Sequence, residues 1–92
     1  MAKGQDKTVD RIAKVLRDKF PKDAIVDVSP SGVRDNLHVL VVSRTLDSKT
    51  EPQKQECLWR LLKAAVKNGV LEKTELDRVS LILPISVSEL RR

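Results

Sequence analysis

Apolar residues fall at Val9, Ile12, Ala13, Leu16 and Phe20, steps of three and four that draw one stripe along an amphipathic helix. Pro21 cannot continue it, and Asp6 or Thr8 can accept hydrogen bonds from the first free amides, so the pattern predicts a helix over 8–20. The period then changes. "AIVDVS" at 24–29 is rich in β-branched residues, Pro30, Ser31 and Gly32 supply turn chemistry, and "NLHVLVVSRT" resumes at 36. Two strands of a hairpin follow, joined by an exposed loop, "SPSGVRDN", longer than a tight turn and able to carry a contact.

Thr50 and Gln53 form a capping box, in which each side chain satisfies the other's backbone N–H, and Pro52 sits where a missing N–H costs nothing. Leu58, Leu61, Leu62 and Ala65 continue as a second helical stripe flanked by Trp59, and Asn68-Gly69 offers the left-handed stop. A short helical turn fits Val70 to Leu76. Beyond it Val79, Leu81, Leu83 and Ile85 alternate with Arg78, Ser80, Ile82 and Pro84, the period of a half-buried third strand with Pro84 near its end or on an edge. The predicted order is αββααβ, an α+β fold with helices packed on one face of a three-stranded sheet.

Composition narrows this picture. Ninety-two residues suffice for one core, since domains usually run to about 100 to 150 residues, so positions 1–92 form a single domain whose polar positions 1–7 are expected to be flexible. With only Phe20 and Trp59 as aromatics, the core must be aliphatic. Cys57 is the only cysteine and has no second thiol for a disulfide or a CxxC pair, which suits a reducing compartment. "MAKGQDKTVD" has no apolar signal region and no stretch approaches the roughly 18 apolar residues of a membrane span, so a cytoplasmic chain without a membrane partner is expected.

A net charge of +5 attracts polyanions, but Lys and Arg alternate with Asp and Glu rather than gathering in blocks. Arg60, Lys63 and Lys67 make one basic row at helical spacing, and Lys7, Arg11 and Lys14 another. Either could meet phosphates; Glu56 one turn before Arg60 and Asp18 one turn after Lys14 point instead to solvated, partly neutralised faces. His38 has no Cys or His neighbour with which to share a metal, and Cys57 lies beside the apolar stripe of its helix, so a strand residue and a small hydrophobe are their plainer roles. No nucleophile elbow, zinc-protease pair or phosphate-binding glycine loop is present, and no catalytic activity is expected.

Three segments together resemble the BolA-like family: "VDRIAKVLRDKF" its opening helix, "HVLVVSRTLDSKT" its second strand and following turn, and "VSLILPISVSEL" its closing strand and acidic end. The likeness spans roughly 8–90 in the right order. It implies a fold similar to the type II KH domain, no catalysis, and pairing with a monothiol glutaredoxin around a shared [2Fe-2S] cluster in iron–sulfur trafficking. For some members it implies DNA binding.

The resemblance also says where to look. The family's cluster histidine, at the start of the last strand, falls on Arg78 when "DRVSL" is aligned with it. A guanidinium stays protonated and offers iron no lone pair. The family's second ligand, a Cys or His between the first two strands, has no counterpart in "SPSGVRDN", and the Arg-His-Arg-like start of the main helix reads Lys54, Gln55, Glu56. A KH-type Gly-x-x-Gly loop would fall on "NGVLEKT", where Glu72 stands three residues after Gly69 and repels phosphate. The expectation is a protein-binding adaptor, with no resident cofactor, whose contacts include Arg34, Arg60, Lys63, Lys67 and Arg78; the alternative is a nucleic-acid module using the basic helix faces.

Overall fold

The computed structural model describes residues 7–90. The chain forms α1 (Lys7–Lys19), β1 (Ile25–Pro30), β2 (Leu37–Ser43), a 3-10 turn (Arg44–Leu46), α2 (Glu51–Lys67), α3 (Lys73–Leu76), β3 (Val79–Ser86) and α4 (Val87–Leu90). The αββααβ order is therefore present, followed by one further helical turn. Of the stretch expected to be flexible, 1–6 lies outside the described residues and Lys7 already opens α1. The suggested cap Asp6 is also outside them. Thr8 lies within the helix, where its hydroxyl donates to Glu75 Oε2 at 3.0 Å.

Strand β2 is central, antiparallel to β1 and parallel to β3. A parallel neighbour cannot be reached by a hairpin, so α2 and α3 make the crossover between them. Leu37, Val39, Val41 and Ser43 are 0–1% exposed and define the inner face of the sheet. Val28 and Val26 of β1 stand opposite Val39 and Val41, as Ile82 and Pro84 of β3 do on the other side. Ile12, Leu16 and Phe20 of α1 and Leu58, Leu62 and Ala65 of α2 close over this face, forming the aliphatic core together with Leu46 and Leu71.

The third strand departs from simple alternation. Leu37 pairs with Val79 but His38 pairs with Leu81, so Ser80 is an extra residue in a bulge. Its hydroxyl donates to the Leu37 carbonyl at 3.4 Å. An unbroken period of two would place Leu81, Leu83 and Ile85 on the same face as buried Val79. The bulge reverses the parity: Ile82, Pro84 and Ser86 point inward, while Leu81 and Leu83 are 41% and 44% exposed on the outer face.

Helix α2 begins as its sequence predicts. Thr50 Oγ1 accepts from the Gln53 N–H at 3.3 Å, and Gln53 Oε1 accepts from the Thr50 N–H at 2.9 Å. It ends at Asn68, with Gly69 at φ 79°, the left-handed region that favours glycine.

Candidate functional site

The parallel pairing of β2 and β3 brings the start of β3 beside the loop that precedes β2. Leu37 N–H donates to the Arg78 carbonyl at 2.7 Å, and Arg78 Nε donates to the Asp35 carbonyl, also at 2.7 Å. The arginine is thus tied by its backbone to the first residue of β2 and by its side chain to the β1–β2 loop. The loop is folded on itself: Ser31 N–H donates to the Asn36 carbonyl at 2.9 Å, and Val33 N–H donates to Ser31 Oγ at 3.1 Å. Between these bonds Arg34 adopts φ 51°, a conformation uncommon for any residue with a Cβ. Its side chain is exposed, and no carboxylate among the described residues pairs with it.

The other sequence-selected residues lie elsewhere. Arg60 on α2 is held by Glu56 at 2.5 Å, as the one-turn spacing predicts, and Lys14 by Asp18 at 3.4 Å. Arg11 leaves the basic row of α1 to bind Glu75 at 2.9 Å. Lys63 and Lys67 are exposed on α2 and form no ion pair among the described residues. Half-buried His38 stands on the outer sheet face between Ser29 and Leu81. Cys57, half-buried on α2, lines a surface groove of about 520 Å³ with Lys49, Gln53 and Arg60. His38 and Cys57 therefore lie on different surfaces, and no cluster of three or more His, Cys, Asp or Glu suited to a metal ion occurs among the described residues.

Two polar networks escaped the sequence. Lys54, only 3% exposed, is bonded by Glu51 at 2.9 Å and by Glu89 of α4. These hydrogen bonds, Glu51's first, raise the lysine above its ordinary 10.5. The Lys54 ammonium, followed by the backbone N–H and hydroxyl of Ser86, holds the Glu89 carboxyl down at about 2. The neighbouring Gln55 amide donates to the Ile82 carbonyl at 2.8 Å and covers part of β3's outer edge. The altered start of the main helix is therefore a set of structural ties.

Glu75 is the second case. Burial pushes its carboxyl up, but the Glu72 N–H, Thr8 hydroxyl and Arg11 guanidinium outweigh burial and leave it below the usual value. It fastens the start of α1 to α3.

No protein-family model matches the chain, and neither does any curated protein. A [2Fe-2S] cluster takes thiolates or imidazoles. The end formed by Arg78 and residues 31–36 holds two guanidiniums, one hydroxyl, one side-chain amide and one carboxylate, with neither donor type. These residues do not fit the cluster. They fit an anion better: Arg34 extends from a loop that Arg78 ties to β3.

Proposed function

We propose that the chain is a BolA-like, non-catalytic adaptor whose partner is a protein, a monothiol glutaredoxin in iron–sulfur handling, and that it supplies no ligand to the partner's cluster. The observation that carries this reading is the Arg78–Asp35 contact: the two segments on which the family resemblance places ligands meet at one end of the sheet, and a guanidinium stands where an imidazole would. The docking group on the partner is anionic, because exposed Arg34 adds a second positive charge to the β1–β2 loop.

The test mixes the chain with a cluster-loaded monothiol glutaredoxin and follows heat release together with visible absorption and circular dichroism. A complex should form at micromolar concentrations with the cluster spectrum of the glutaredoxin unchanged. Arg78→His should alter that spectrum by offering iron a nitrogen. Absence of any complex removes the partner, and a changed spectrum with the parent chain removes the statement about ligands.

A second reading, a nucleic-acid module, draws on Lys63 and Lys67, which carry charge that no carboxylate among the described residues neutralises. It requires binding to DNA or RNA that weakens steeply with salt through counterion release. No mobility shift at low salt would eliminate it.

A further inference from the structure

Val15 and Lys19 of α1 and Leu61, Ala64 and Ala65 of α2 line one groove of about 250 Å³, so the C-terminal halves of the two helices lie side by side. The stop at Gly69 adds a further wall. Its N–H donates to the Val66 carbonyl at 3.1 Å and the Val70 N–H to the Ala65 carbonyl at 2.9 Å, the paired bonds of a Schellman motif. Such a motif usually packs the residue after the glycine against the helix it ends. Val70 lines the groove in that way but remains 54% exposed, so the fold leaves an aliphatic surface open to water between the helices.

The charge around this groove is one-sided. Asp18 is the only carboxylate among its lining residues, and Lys14 already occupies it at 3.4 Å. Arg17, Lys19 and Lys22 at the end of α1, and Lys63 and Lys67 at the end of α2, are exposed and form no ion pair among the described residues. Lys63 and Lys67 each directly precede a lining residue, Ala64 and Asn68. Helix C-termini attract cations, but each carries only about half a negative charge, so the two offset about one of these five and leave about four.

We propose that the groove docks an acidic peptide segment of a partner protein: one large apolar side chain enters between α1 and α2 against Val70, and flanking Asp or Glu residues meet Lys19, Lys63 and Lys67. Volume sets the anchor. Small-molecule pockets run to about 300 to 1,000 Å³, and a groove of about 250 Å³ suits a single side chain rather than a whole ligand. Charge sets the flanks, since a carboxylate beside the anchor meets a surplus of cations that the chain itself does not neutralise. A nucleic acid would use the lysines alone: no aromatic side chain lines the groove to stack a base, and phosphates bring nothing to fill its aliphatic floor. The groove shares no lining residue with the Arg78 end, so this inference does not rest on the proposed adaptor role.

The experiment is fluorescence anisotropy of the full chain against a labelled octapeptide of Asp and Glu around one central leucine, in low and high sodium chloride. Binding should saturate below about 1 mM and weaken with salt. The same peptide with serine in place of leucine should bind at least about tenfold more weakly, because the buried apolar group is gone. Val70→Asp and Lys67→Glu should each weaken the leucine peptide about tenfold. Both side chains are exposed, so the fold should survive, which far-ultraviolet circular dichroism checks; Lys67→Glu carries the test should Val70→Asp fail to fold. Lys49→Glu, the same charge change ahead of α2, and Arg34→Glu, in the β1–β2 loop, should bind like the parent. No binding up to about 1 mM overturns the proposal. So do equal affinities for the leucine and serine peptides, parent-like binding by folded Val70→Asp or Lys67→Glu, a loss at either control, or a single-stranded oligonucleotide of equal charge that binds more tightly than the leucine peptide.

Discussion

Ile82→Ala and Leu83→Ala test the bulge at Ser80 directly, because they remove neighbouring aliphatic side chains from opposite faces of β3. Ile82 is 2% exposed and packs in the core, whereas Leu83 is 44% exposed on the outer face. Isoleucine exceeds alanine by three carbons, and each fully buried methylene is worth about 0.8 kcal/mol, so transfer alone assigns Ile82 about 2.4 kcal/mol. The cavity left under Val39 adds to this, and buried Ile→Ala changes range over about 2 to 5 kcal/mol, so about 3.5 kcal/mol is expected. At Leu83 only about half of the same transfer applies and an open site leaves no cavity, giving about 1 kcal/mol. Total stability for a chain of this length is about 5 to 14 kcal/mol, so both variants should remain folded in water. With a urea slope of about 1.2 kcal/mol per molar, the unfolding midpoint should fall by about 3 M for Ile82→Ala and by less than about 1 M for Leu83→Ala. Equal losses, or a larger loss at Leu83, would mean that β3 follows unbroken alternation and would refute the bulge.

Three further changes read the polar ties. Glu89 has a folded-state pKa of about 2, below its ordinary 4.5, so its contribution is present above pH 4.5 and is lost as pH falls toward 2; Glu75, shifted in the same direction, adds to that loss. Glu89→Gln should flatten the pH dependence of the urea midpoint in that window, while at alkaline pH the contribution of Lys54, whose pKa is raised, should persist at 10.5 and fade above it. Thr50→Ala removes the acceptor for the Gln53 N–H and should cost about 1 kcal/mol by urea unfolding, with no change at the Arg78 end. Arg78→Ala frees the Asp35 carbonyl, so amide hydrogen exchange should accelerate at Val33 and Asn36 while the core amides of β2 keep their protection.

The features legible in the sequence are those decided locally. The stripe of α1, the Thr50–Gln53 box and the Gly69 stop each depend on residues within a few positions, and each occurs in the structure within a residue or two of where it is expected. The face of β3 was not legible, because "LILPI" is apolar at both parities and Ser80 is an ordinary strand residue; only the pairing with Leu37 and His38 reveals the extra position. At the candidate site, Arg78 could be singled out, but its acceptor could not, since a backbone carbonyl 43 positions away carries no residue signature. Lys54 left one trace. It stands four residues before Leu58 on the apolar stripe, where a lysine needs a carboxylate, yet nothing in the order of residues says that Glu89 supplies it.

The same short segment separates two surfaces of different chemistry on β3. Before the bulge, Arg78 and Val79 keep the register that ties the strand to the β1–β2 loop, through the Leu37 N–H and the Asp35 carbonyl. After it, the parity is reversed and three aliphatic side chains, Leu81, Leu83 and Ile85, face outward where unbroken alternation would have buried them. A β-bulge costs ladder regularity and is retained when it re-aims side chains. Here it gives one edge strand a polar, cation-bearing end and an apolar outer row. Leu83→Ala should accordingly leave binding at the Arg78 end intact, since five positions of extended strand, about 16 Å, separate the two residues.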